Sequence, residues 1–204
     1  CPPRQEYRLL NILDLLVSSK KILPEFLLIY GRIFNSLDCK CFFHSLSFMN
    51  KIIIYTDGAC FGNPGPGGYG AVLIWGEKRK ELSGGFRLTT NNRMEILAAI
   101  MALEAIKTDR RYEVIIHTDS RLMHDTITKG WAEKWRTNGW MRNRKDKALN
   151  PDLWERLLNV LELHDVEFKW VKAHAGIPEN ERCDELSKAA ASGIDLPRDE
   201  GYEK

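Results

Sequence analysis

Lys51-Ile-Ile-Ile-Tyr-Thr-Asp57 and Glu113-Val-Ile-Ile-His-Thr-Asp119 are two β-branched runs with one ending, Thr-Asp, followed in each case by a small residue and a turn or helix. The pattern predicts two buried strands that each deliver a carboxylate at the carboxyl end, where open α/β sheets form their ligand crevices. Two more acids sit in segments of helical character, Glu95 in Asn91-Asn-Arg-Met-Glu95 and Asp184 in Glu179-Asn-Glu-Arg-Cys-Asp-Glu185. His174 lies ten residues before Asp184, flanked by small residues. One Asp at a strand end is ordinarily a cap. Two matched endings plus two helix acids need another reason to be adjacent, because like charges held together are costly without a cation. Oxygen donors with few nitrogens and no thiolates select Mg²⁺ or Mn²⁺ over zinc.

Around these runs the order of elements is legible. Residues 51–57 are apolar on both faces, as expected of a central strand covered on both sides. Gly62-Asn-Pro-Gly-Pro-Gly-Gly68 carries enough Gly and Pro to predict a turn with no regular structure. Strands are predicted near 69–76 and 80–88, joined by a hairpin at Gly76-Glu-Lys-Arg79. A helix over about 92–107 presents Met94, Leu97, Ala98, Met101 and Ala105 on one face, with Thr90 or Asn91 as N-cap. The strand at 113–119 leads into a helix starting near Ser120; Pro151 opens another that ends near His164. A strand at about 166–171 and a helix from Pro178 to about Ala191 complete the domain.

Bulk properties exclude several classes. The 204 residues suffice for one domain with an appendage, and 44% hydrophobic with 28% charged residues is a globular composition. Five cysteines in no framework rhythm favour a reducing compartment. No apolar run reaches the roughly 18 residues that a spanning helix needs. Residues 1–48 keep no sustained period, and Asp14, Lys20, Lys21 and Glu25 interrupt the apolar run of a secretory signal. Cys39-Lys-Cys41 with His44 lacks zinc-finger spacing. Met49 is therefore expected as the natural start, with residues 1–48 an extension of unknown role and 49–204 the catalytic domain.

Three features point to nucleic acid. From Lys129 to Lys147 there are seven basic residues against two acidic ones, interleaved with Trp131, Trp135 and Trp140. Cations contact phosphates and indoles stack on sugars or bases, although Trp131 and Trp135, four apart, also suit a core-anchored helix. The glycine-rich turn can offer backbone N–H groups to phosphates. Thr90-Asn-Asn-Arg93 places polar donors at a helix N-terminus, where anions are favoured.

The stretch Tyr55-Thr-Asp-Gly-Ala-Cys-Phe-Gly-Asn-Pro-Gly-Pro-Gly-Gly-Tyr-Gly70 closely resembles the opening motif of type 1 ribonuclease H, the bacterial ribonuclease HI group. So do Thr89-Thr-Asn-Asn-Arg-Met-Glu95, His117-Thr-Asp-Ser120, Trp170-Val-Lys-Ala-His-Ala-Gly176 and Pro178-Glu-Asn-Glu-Arg-Cys-Asp184, in order, across about Lys51 to Tyr202. The resemblance implies a ribonuclease H-like α/β fold, a mixed five-stranded sheet flanked by helices. It implies endonucleolytic hydrolysis of the RNA strand of an RNA–DNA hybrid by two Mg²⁺ ions, with Mn²⁺ able to substitute, leaving 5′-phosphate and 3′-hydroxyl ends. Carried over residue by residue, Asp57, Glu95, Asp119 and Asp184 match the metal-binding carboxylates, and His174 the histidine that aids proton transfer or product release. Asn63, Thr90, Asn91 and Asn92 match positions that contact the hybrid backbone. Residues 129–147, including Trp131, Lys134, Trp135, Arg136, Arg142 and Arg144, match the basic protrusion that grips the DNA strand. A cytoplasmic monomer with no membrane partner is the accompanying expectation. Two departures stand out: Ala173 where glycine commonly precedes the histidine, and Arg121 where a neutral polar residue is usual. A transposase, integrase or proofreading exonuclease would share the acids but lack the protrusion and the Thr89–Glu95 motif. A catalytically dead hybrid-binding module would not need all four acids and His174.

Overall fold

In the computed structural model, which describes residues 51–203, the triple Ile52-Ile-Ile54 is buried at the centre of a sheet. The strands are β1 (Lys51–Cys60), β2 (Gly65–Trp75), β3 (Lys78–Thr89), β4 (Glu113–Thr118) and β5 (Asp165–Trp170). The helices are α1 (Asn91–Glu104), α2 (Arg121–Thr128), α3 (Trp131–Thr137), α4 (Pro151–Leu161) and α5 (Pro178–Ala191). Spatial order is β3-β2-β1-β4-β5, antiparallel across the first three and parallel across the last three. This is the mixed five-stranded sheet expected. The expectations for residues 1–48, including Cys39, Cys41 and His44, lie outside the described residues.

The glycine-rich stretch departs from expectation. β2 begins at Gly65, and Gly67, Gly68 and Gly70 pair with Cys60, Ala59 and Asp57. Glycine here serves close approach. A Cβ on Gly68 would lie 2.4 Å from the Ser187 carbonyl, and one on Gly70 would lie 2.3 Å from that of Cys183, both in α5. A Cβ on Gly67 would instead come within 2.6 Å of Thr89 and 3.2 Å of Met94 of α1. Successive residues of a strand face opposite sides, so α1 and α5 clamp the sheet from its two faces.

α1 also differs from the one-faced helix expected. Arg93 through Ile100, with Ala102 and Leu103, are all buried, because α4 packs on the side that the sheet leaves open. Thr90 occupies the N-cap position but makes no side-chain cap bond. Ser120, by contrast, caps α2 by accepting from the Met123 amide at 3.4 Å. α4 ends at Leu161, short of the His164 expected, since the chain must turn to enter β5.

Candidate active site

Parallel pairing of β1 with β4 puts Thr56 opposite Thr118, so Asp57 and Asp119 sit at the same height on adjacent strands; β4 ends there as expected, while β1 runs on to Cys60 because β2 continues to pair with it. Glu95 reaches the same point from the first turns of α1. A Cβ on Gly58 would lie 2.4 Å from the Glu95 amide, and the bare glycine lets α1 settle against β1. Carboxylate oxygens of Asp57, Glu95 and Asp119 all lie within 4.8 Å of one another. Asp57 is 7% exposed and Glu95 6%.

Those charges are strained in the absence of a cation. Burial, then repulsion from Asp119, pushes the Asp57 carboxyl up to about 7, even though the Gly58 amide donates to its Oδ1 at 2.8 Å. Burial, then Asp57 and Asp119, raises Glu95 well above the carboxylate range. Glu95 Oε1 accepts a 3.4 Å bond from Asn91, but Oε2 is buried with no partner among the described residues. An orphaned buried carboxyl oxygen inside a cluster of hard donors fits a divalent cation, whose charge would offset the repulsion.

The fourth acid stands slightly apart. Asp184, from α5, groups with His174 and Glu181, whose ligand atoms also lie within 4.8 Å of one another. It remains close enough to Asp57 to raise that carboxyl. Lys188, one turn on, donates to Asp184 Oδ2 at 2.7 Å, a bond that raises the lysine's own pKa. His174 is exposed with left-handed backbone, φ 51°, and its Nδ1 lies 3.4 Å from Glu181 Oε2. Glu181, Asn180, which donates to Asp119 Oδ2 at 3.3 Å, and Lys188 were missed as site residues. Their spacing of three and four from neighbours on one helix face was the available signal.

The proposed hybrid contacts divide. Asn63 Oδ1 accepts from the Asn91 amide at 3.2 Å, so the glycine-rich loop and the Thr90–Asn92 corner meet beside Glu95. Arg93, read with that corner from sequence, is instead turned inward: it is 2% exposed and bound to Asp152 and Asp199. In the basic segment, Trp135 meets the buried Trp154 edge-on at 6.3 Å and packs against the core. Arg136 faces Glu155 of α4 at 3.9 Å and Glu162, the residue just past its end, at 3.6 Å. Trp131 is exposed, with Lys129 Nζ 4.9 Å from its ring centroid, and Lys134 and Arg144 are exposed too. Arg142 reaches Asp146 at 3.5 Å.

Clustered carboxylates on two neighbouring parallel strands make a candidate divalent-cation centre on an α/β fold. A family model described as RNase H matches residues 49–192. Ribonuclease H of Syntrophus aciditrophicus is 62% identical over 152 residues, 74% of this chain and 87% of that protein. Ribonuclease HI of Synechocystis is 56% identical over 156 residues, 76% and 96% of the two chains. Among solved structures, LC9-RNase H1 aligns with TM-score 0.63 and 32% identity, covering 70% of this chain and 72% of that one. LC11-RNase H1, solved in complex with an RNA/DNA hybrid, aligns with TM-score 0.51 and 25% identity, covering 69% and 96%. The chain belongs to the ribonuclease H family. It is a divalent-metal-dependent endonuclease that hydrolyses the RNA strand of RNA–DNA hybrids.

Proposed function

We propose that Asp57, Glu95, Asp119 and Asp184 hold two Mg²⁺ ions, with Mn²⁺ able to substitute. The observation that carries this is the cluster of three carboxylates, with the Glu95 Oε2 oxygen buried and unpaired. Bound divalent ions supply an activated water and neutralise charge developing at a phosphodiester. The chain does the rest. Asn63, Thr90, Asn91 and Asn92 hold the hybrid backbone at the mouth of the cluster. Such contacts recognise duplex shape and 2′-hydroxyls and leave base sequence unread.

His174, exposed beside Glu181, is suited to move a proton to the departing 3′ oxygen or to ease the product away. Products carry 5′-phosphate and 3′-hydroxyl ends. Lys134, Arg142, Arg144 and Trp131 grip the DNA strand, while Trp135 and Arg136 brace the protrusion on α4. A cytoplasmic monomer is the matching context, and no described helix is long and apolar enough to cross a membrane. The deciding measurement is cleavage of an end-labelled hybrid with Mg²⁺, with Mn²⁺ and with chelator. RNA fragments that appear only with metal, from the hybrid and not from single-stranded RNA, are expected. Equal cleavage in chelator would overturn the metal assignment.

A further inference from the structure

Beyond α5 the chain returns to β3 and α1, and one carboxylate there touches both. Asp199, 6% exposed, accepts from Thr89 Oγ1 at 2.7 Å through Oδ2. It also accepts from Arg93 Nε at 2.7 Å and Nη2 at 2.8 Å, and from the Gly201 amide at 3.2 Å. Thr89 is the last residue of β3 and Arg93 the third of α1. The Thr90–Asn92 corner is thus bounded on both sides by residues that bind a single buried anion. The Thr90 side chain makes no cap bond, so between Thr89 and Arg93 the corner is held by the Asn91 amide on Asn63 Oδ1 and by the first amides of α1 on the Thr90 carbonyl.

We propose that Asp199 is a positioning residue for substrate, setting the Thr90–Asn92 corner through Thr89 and Arg93; this rests on the reading that the corner contacts the hybrid backbone. Arg93 does not itself meet the hybrid, because Asp152 takes its two terminal nitrogens at 2.7 and 3.0 Å. The returning segment is built to hold Asp199 in place. The Arg87 amide donates to the Pro197 carbonyl at 2.9 Å, and Arg87 forks onto Glu203 with bonds of 2.9 and 3.1 Å. Gly201 lies so close that a Cβ would come within 2.0 Å of Asp152 Oδ2 and 2.3 Å of Arg93 Nη2. Burial acts to raise the Asp199 carboxyl, but bonds from Arg93 and Thr89 outweigh it and hold the group below its ordinary value, ionised at neutral pH.

The test compares Thr89→Val, Thr89→Ser and Asp199→Asn in the full chain, assayed on a labelled hybrid well below each variant's melting temperature. Thr89→Val removes the hydroxyl at constant shape and covers the case in which Asp199→Asn fails to fold. Removing an interaction made equally in the ground and transition states raises KM and spares kcat, so Thr89→Val and Asp199→Asn should raise KM about fivefold with kcat within about twofold. Thr89→Ser, which keeps the hydroxyl, should restore the native KM. A purely structural role predicts lower melting temperatures with native KM in every variant, and that result would overturn the proposal. Asn91→Ala is the control. If it leaves KM unchanged, the reading of the corner as a substrate contact fails; if it raises KM while Thr89→Val and Asp199→Asn do not, only the positioning role fails.

Discussion

The indole N–H of Trp170, the last residue of β5, donates to the backbone carbonyl of Asp119 at 3.0 Å. The next amide, Val171, donates to Thr118 O at 2.9 Å, so the chain carrying Asp119 is pinned twice as it leaves β4. Arg121 stacks on the outer face of the same indole, 4.2 Å from its centroid. Replacing Trp170 by Phe keeps a ring for Arg121 but removes the donor. Release of Asp119 from its place should lower kcat roughly tenfold with KM little changed, since small misplacements at a reacting centre are expensive. Steady-state kinetics on the hybrid decide it; an unchanged kcat would mean the loop holds Asp119 unaided.

Asp57→Asn should nearly abolish cleavage at saturating Mg²⁺ while leaving hybrid binding largely intact, because it removes a charge from the proposed metal site but little volume. Without metal the same change should stabilise the fold, and pH reveals why. Asp57 titrates at about 7 when folded and about 3.9 when unfolded. Between those values the folded chain holds more protons, so metal-free stability falls as pH rises across the window. The Asn variant lacks this loss. Its advantage in chelator should be absent near pH 4 and grow to at most about 4 kcal/mol by pH 8. Urea melts at several pH values measure it, and a constant difference would show that Asp57 is not electrostatically strained.

Gly58→Ala probes the seat of Glu95. The added methyl would strike the backbone of Met94 and Glu95, at 2.7 and 2.4 Å, and backbone cannot rotate away. Overpacking of this kind costs about 1–3 kcal/mol. Activity should fall further than that stability loss accounts for, because α1 must back off and take Glu95 with it. Melting temperature and kcat measured side by side test this; a variant that melts early yet keeps its kcat would uncouple Gly58 from the site.

Counterion release distinguishes a gripping protrusion from a scaffold. Alanine at Lys134, Arg142 and Arg144 together should raise KM and flatten its salt dependence, by roughly 0.9 log–log units for each phosphate no longer neutralised. Arg136→Ala is expected to leave the slope nearly unchanged, since its guanidinium faces Glu155 and Glu162. Equal slopes for the triple variant and the parent would make the whole protrusion scaffold.

Legibility from sequence followed the range of the interactions. β-branched runs ending in Thr-Asp, and helices opened by Pro151 and Pro178, were readable because each signal is local. The start of β2 at Gly65 was not, because glycine reads as a turn until the helices that crowd it are known. Arg93 read as a donor at a helix end, and its partners Asp152 and Asp199 lie 59 and 106 residues away. Trp135 read equally as a stacking platform or a core anchor, because nothing nearby in the chain announces Trp154 as its neighbour. The four acids stand out by their motifs, yet that Asp184 sides with His174 and Glu181 depends on how α5 lies on the sheet.

The pairing of Lys51 with Glu113 through to Thr56 with Thr118 carries a consequence for quality control. Side chains alternate faces along a strand, so a slip of one residue would turn Asp57 to the opposite side of the sheet while leaving the ladder fully bonded. Such a slip would also push a Cβ into the place of Gly58, 2.4 Å from the Glu95 amide, so a misaligned chain loses the seat of α1 together with its carboxylate cluster, and specific activity per folded molecule registers both.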